Sequence, residues 1–145
     1  MAHISRNALV PYSPEQMYQL VDGIASYPQF LPWCRSAVEH ARDTDQVKAT
    51  IDIAKGAMNK SFTTLNRLQK NKTIEMRLID GPFRHLHGFW RFDELKPGAC
   101  KVSLDLDFEF SNKILSLAIG PIFNQVANTL VDSFVERAKK VYGKC

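Results

Sequence analysis

At 145 residues, 45% hydrophobic and 23% charged, the chain reads as one domain over residues 1–145, and neither a second domain nor a disordered, collagen-like or low-complexity character fits it. Its net charge of +4 suits phosphate-rich partners or an anionic membrane surface without demanding either. Cys34, Cys100 and Cys145 are an odd set with no CxxC spacing, which argues against a disulfide framework or a zinc cluster and fits a reducing compartment.

Residues 1–6 hold no apolar signal core, and polar or charged residues interrupt each apolar run before a secretory or membrane-spanning length. A cytoplasmic protein is expected. Residues 3 to 11 read as a strand. Ser13-Pro14-Glu15-Gln16 then reads as a helix start, with Ser13 as the cap, Pro14 in the first turn and Gln16 as the capping-box partner. Met17, Leu20, Val21 and Ile24 follow at helical spacing and give this short helix one core-facing stripe.

The next segment, Tyr27-Pro28-Gln29-Phe30-Leu31-Pro32-Trp33-Cys34, packs three aromatics, a leucine and two prolines where a surface loop is normally polar. Proline fixes φ and removes a donor, so neither a long helix nor a central strand fits. A rigid apolar corner does, with a second very short helical turn starting near Ser26. Such a corner either plugs the core or borders a cavity for an apolar ligand.

From Arg35 to Phe110 the pattern is strands parted by turn signals at Asp43-Thr44-Asp45, Lys55-Gly56-Ala57, Lys70-Asn71-Lys72, Asp80-Gly81-Pro82 and Lys96-Pro97-Gly98. Spacing this regular implies an antiparallel meander. In the last strand Val102, Leu104, Leu106, Phe108 and Phe110 alternate with Ser103, Asp105, Asp107 and Glu109, so apolar and acidic side chains take opposite faces. Val47, Ala49, Ile51 and Ile53 repeat the device. So do Ile74, Met76 and Leu78, and Leu86, Gly88, Trp90 and Phe92, where Gly88 marks a bend or a close approach.

The apolar face of such a sheet needs a cover. Leu115, Ile119, Ile122, Phe123, Val126, Leu130, Phe134, Ala138 and Val141 recur near helical period across residues 112–142. One long helix is expected there, kinked or broken in two at Gly120-Pro121. The whole is an α+β fold, a curved antiparallel sheet gripping a long C-terminal helix, with two short helices after the first strand.

The corner Tyr27 to Cys34, together with Asp80-Gly81-Pro82-Phe83 continuing through Leu86, Gly88, Trp90 and Phe92, resembles the coenzyme Q-binding branch of the START-like, polyketide cyclase/dehydrase-type lipid-binding superfamily, whose bacterial members include the ribosome association toxins. The likeness extends over almost the whole chain. It implies a helix-grip (START-like) fold with a hydrophobic tunnel, binding of ubiquinone or a similar isoprenoid, and no chemical step. For bacterial members it also implies binding of the large ribosomal subunit and a block of 70S subunit joining, as the toxin of a type II toxin-antitoxin pair with an antitoxin partner. Residues 1–6 lack a mitochondrial-type presequence, which favours the bacterial branch. Cytoplasmic location with peripheral contact at the inner membrane follows from the same resemblance.

Candidate tunnel residues are Tyr27, Phe30, Leu31 and Trp33 from the corner, Trp90 and Phe92 from one strand, Leu104, Leu106 and Phe108 from another, and Ile119, Phe123, Val126 and Leu130 from the helix. For each, ordinary core packing is the competing explanation. A quinone head needs one or two donors, for which Tyr27, Trp33 and Arg91 are candidates. Lys55, Lys60, Arg67, Lys70 and Lys72 fall in one stretch as candidate contacts for a ribosome or another anionic surface, whereas Arg137, Lys139, Lys140 and Lys144 suit a helix C-terminus.

Catalytic signals are thin. His85 and His87 stand at i, i+2 with no third metal ligand in register and read as a solvent-facing pair, and His3 and His40 are isolated. Asp105, Asp107 and Glu109 form a uniformly exposed row, expected to offset lysines across strands rather than to divide acid and base roles. Neither a nucleophile elbow nor a phosphate-cradling or dinucleotide glycine loop occurs. A non-enzyme needing no cofactor and no metal is expected, with a cyclase- or hydrolase-like enzyme using the same cavity as the alternative.

Overall fold

Ser13 caps the first helix with a reciprocal pair of hydrogen bonds. Its Oγ accepts from the Gln16 amide at 3.1 Å, and the Gln16 Oε1 accepts from the Ser13 amide at 2.9 Å, a capping box whose Ser contributes about 1 kcal/mol. In the computed structural model, which describes residues 2–143, this helix, α1 (Pro14–Asp22), follows strand β1 (Ala2–Val10). Met17 and Val21 are buried on its inner stripe, while Ile24 falls beyond its end, in a 3-10 helix (Ile24–Gln29) that carries Pro28 into the corner.

The five expected turns all occur, separating β2 (Cys34–Arg42), β3 (Gln46–Lys55), β4 (Met58–Gln69), β5 (Thr73–Asp80), β6 (Phe83–Lys96) and β7 (Ala99–Phe110). Gly56 and Asn71 take left-handed backbone angles, φ 56 and 64, at two of them, which is why residues tolerant of that region stand there. The sheet order is β1-β7-β6-β5-β4-β3-β2, antiparallel throughout. Since β1 and β2 are opposite edges, α1 and the 3-10 helix span the sheet, and the apolar corner lies across its concave side.

Helix α2 (Lys113–Tyr142) closes that side, burying Ile119, Phe123, Val126, Ala127, Val131, Phe134 and Ala138. It runs unbroken through Pro121, so of the kink or break expected there the break does not occur. Pro121 leaves the Leu117 carbonyl without its helical donor, but both residues lie on the exposed face, where solvent can take the donor's place. By length and composition α2 could also cross a membrane, which amends the reading that no apolar segment reaches that length. Its buried stripe is engaged on the sheet. Lys139 and Lys140 occupy its last turn, as the dipole favours; Lys144 and Cys145 lie outside the described residues.

The two ends of α2 are held differently. The Tyr142 hydroxyl donates to the Gln16 carbonyl at 2.9 Å and the Tyr12 hydroxyl to the Gly143 carbonyl at 2.7 Å, fastening the C-terminal end to α1 and its approach. The first turns carry Ile114 and Leu117, 79% and 75% exposed, and run beside the β3–β4 turn, where a β-carbon at Gly56 would touch Ile122 at 3.6 Å.

Candidate functional site

Two aromatic clusters prop the sheet apart from α2. At one end Phe83 stacks on Phe110 at 4.9 Å and meets Phe123 edge-on at 5.0 Å, with Phe108 at 4.8 Å from Phe123. At the other, Phe134 meets Tyr27, Phe30 and Trp90, each at 5.4 Å. Edge-on pairs of this kind add about 0.5–1.5 kcal/mol each beyond burial. Between the clusters an apolar cavity of about 70 Å³ remains.

Among the expected tunnel residues, Tyr27, Trp33, Trp90, Leu106, Phe123, Val126 and Leu130 line this cavity. Phe30, Leu31, Phe92, Leu104, Phe108 and Ile119 do not. Phe30 lies under the Arg137 guanidinium at 4.9 Å, Phe92 packs edge-on against Tyr18 at 5.7 Å, and Phe108 is spent in the first aromatic cluster. Leu31, Leu104 and Ile119 are core residues outside the lining. Ordinary packing therefore accounts for these six. The lining is completed by Ile24, Ala49, Ile51, Ile53, Phe62, Met76, Leu86, Ala127 and Phe134, and by Thr64 and Asn66. Ile51, Phe62 and Leu130 are only partly buried, which marks the thin wall between α2 and the β3–β4 hairpin.

The polar groups differ from those expected. The Tyr27 hydroxyl donates to the Val21 carbonyl, inside the fold, and burial pushes its pKa well up. Arg91 is on the outer sheet face, 3.5 Å from Asp105 and over the Phe89 ring. Of the three donors proposed from sequence, Trp33 and Tyr27 reach the lining, and the Tyr27 hydroxyl is already engaged. Thr64 and Asn66 were missed, although both are 5% exposed and the Thr64 hydroxyl donates to Asn66 Oδ1 at 2.8 Å. The signal for them was a polar break in the alternation Phe62, Thr64, Asn66, Leu68.

The convex face carries charge. Among the described residues Asp105 meets Arg91, Asp107 meets His3 at 2.5 Å and Glu109 meets Arg84 at 2.8 Å, where lysines were expected. His3 is thus not isolated, nor is His40, 2.6 Å from the Thr50 hydroxyl. His87 donates to Glu75 at 2.7 Å, and this bond is the main cause holding Glu75 below the usual carboxylate range. His85 is exposed beside it. Among the described residues no three His, Cys, Asp or Glu side chains are grouped to hold a metal. Cys34 and Cys100 are buried free thiols.

The five cations expected to form one anionic-contact surface divide. Lys55 and Lys60 lie at the β3–β4 turn, whereas Arg67, near the end of β4, and Lys70 and Lys72 beyond it lie at the opposite end of the sheet. There Lys70 and Lys72 share a groove with Glu15, Asp93 and Glu94.

A family model described as polyketide cyclase / dehydrase and lipid transport matches residues 10–135. The ribosome association toxin RatA of Escherichia coli (strain K12) is 49% identical over 142 residues, covering 98% of this chain and 90% of that protein. The mitochondrial coenzyme Q-binding protein COQ10 of Drosophila melanogaster is 24% identical, with 96% of this chain and 59% of that protein covered. A START superfamily protein from Mycobacterium smegmatis shares the fold, with a TM-score of 0.80, 19% identity and coverage of 96% and 98%.

Proposed function

The chain belongs to the polyketide cyclase/dehydrase and lipid transport family, and from that premise we propose that it is a non-catalytic binding protein that takes an uncharged isoprenoid lipid, ubiquinone or a close analogue, between α2 and the sheet. The supporting observation is the lining itself. Among the described residues it includes no Asp, Glu, His, Lys, Arg or Cys, so it suits apolar material and offers no group for acid-base work near neutrality. That composition also disfavours the cyclase- or hydrolase-like alternative.

Size sets the mechanism. Pockets for drug-sized ligands hold roughly 300–1,000 Å³, far above the cavity of about 70 Å³ here. Uptake therefore requires the wall to move. With α2 fastened at its C-terminal end, the mobile partners are its first turns and the β3–β4 hairpin, and an isoprenoid tail would wedge between them. Each Å² of apolar surface it buries returns about 25 cal/mol. Ile114 and Leu117, exposed beside Lys113, suit contact with the inner membrane from the cytoplasm, where such a ligand would be collected. Organic extraction of the untreated protein should yield an isoprenoid quinone. Protein from quinone-replete cells that carries none, and takes none up, would overturn the reading.

A second activity rests on the full-length likeness to ribosome association toxins: association with the large ribosomal subunit, opposed by a protein antitoxin. Of the cationic groups, Lys55 and Lys60 are favoured, since the acids around Lys70 and Lys72 weaken the field there. Cosedimentation with large subunits should fall steeply as salt rises, and Lys55→Glu with Lys60→Glu should weaken it more than Lys70→Glu with Lys72→Glu. Binding indifferent to salt and to both pairs would count against this reading.

A further inference from the structure

Thr64 and Asn66 are the buried polar residues among those described, and both face the cavity from the concave side of β4. Their cross-strand neighbours offer them nothing polar: Asn66 pairs with Val47 and Met76, and Thr64 with Ala49 and Leu78. The two side chains bond to each other, Thr64 Oγ1 to Asn66 Oδ1 at 2.8 Å, and the Asn66 Nδ2, which is not a fully buried orphan, stays open toward the cavity that Asn66 lines. Valine and leucine would fill the same space without the desolvation that a buried hydroxyl and amide incur.

We propose that Thr64 and Asn66 form the head-group site of the cavity and select an apolar ligand that carries an uncharged carbonyl oxygen. The proposal rests on the carrier reading above. It does not depend on the orientation of the amide. With Oδ1 toward Thr64, the Nδ2 protons face the cavity; with the amide reversed, Nδ2 donates to the Thr64 oxygen and frees the hydroxyl proton instead. In either arrangement at least one donor is left for an incoming acceptor. A carboxylate or phosphate head is excluded, because no cation lines the cavity to compensate a buried charge. The site also gives the ligand a direction. Asn66 is four residues along β4 from Phe62 at the thin wall, roughly 13 Å at strand rise. The ring carbonyl therefore sits inside and the tail leaves past Phe62.

The test uses the full chain and calorimetric titration with three probes of equal tail length: an alkyl-tailed benzoquinone, the same tail on benzene, and a fatty acid. Wild type should bind the quinone about tenfold more tightly than the benzene analogue and should not bind the fatty acid. Asn66→Leu should lose that preference and, as a second variant of nearly unchanged volume, Thr64→Val should weaken it, both still binding the benzene analogue; each leaves one buried partner unmet, so melting temperatures at or a few degrees below wild type are expected. An unchanged preference in both folded variants would overturn the proposal, as would tightest binding of the fatty acid. Uptake of none of the probes by wild type would overturn the carrier reading and this site together, which sets it apart from loss of selectivity alone.

Discussion

Met76 occupies the space that a side chain at Gly88 would need. The two are cross-strand partners in β5 and β6, and a β-carbon on Gly88 would lie 2.5 Å from the Met76 Cε and 3.0 Å from the Leu106 Cδ1. Met76 and Leu106 both line the cavity, so the absence of a side chain at position 88 is what leaves room beside them.

Gly88→Ala should therefore act on the cavity before it acts on the fold. The flexible Met76 end can swing away, at the expense of the cavity it lines. An overpacking cost of about 1–3 kcal/mol is expected in urea unfolding, together with loss of ligand uptake by the refolded protein. Unimpaired uptake would show that the ligand does not use this part of the wall.

Tyr27→Phe separates packing from recognition. The hydroxyl serves the Val21 carbonyl and not the cavity, so its removal should cost about 1–2 kcal/mol by leaving that buried acceptor unmet. Ligand affinity should stay within about twofold of wild type. A drop of tenfold or more with stability unchanged would return Tyr27 to the list of head-group donors.

Ser13→Ala removes one half of the capping box. The expected loss is about 1 kcal/mol in chemical denaturation. The Gln16 carbonyl receives the Tyr142 hydroxyl, so hydrogen exchange should also quicken in the last turn of α2. Exchange confined to α1 would mean that the fastening of α2 does not pass through the cap.

Burial pushes both Cys34 and Cys100 up to about 11. In the folded protein at pH 8 neither thiol should be alkylated on a timescale that labels the unfolded chain, as peptide mapping would show. An unfolded thiol ionises near about 8.5. The folded state thus holds these protons longer, and their contribution to stability is complete below that pH and is lost as pH rises toward the folded value. Urea midpoints that do not fall between pH 8 and pH 11 would contradict this.

Much of the scaffold was legible because it is written in short-range chemistry. The Ser13–Gln16 box, the five turns and the alternation of β7 each depend on residues within a few positions of one another. Pro121 leaves α2 unbroken because its effect depends on where its turn faces, and on α2 that face is outward. Among the charges, the cations from Lys55 to Lys72 are close in sequence but span the whole of strand β4, whose length carries them to opposite ends of the sheet.

The sequence by itself determined that there would be an apolar-faced meander, a proline-braced corner and a long covering helix, because alternation, capping and turn chemistry are properties of neighbouring residues. Only the tertiary structure decided which apolar side chains are spent in the two aromatic clusters, which border the remaining cavity, and that Thr64 and Asn66 look into it. Those outcomes turn on the curvature of seven paired strands and on the seating of α2, where residues distant along the chain compete for the same volume.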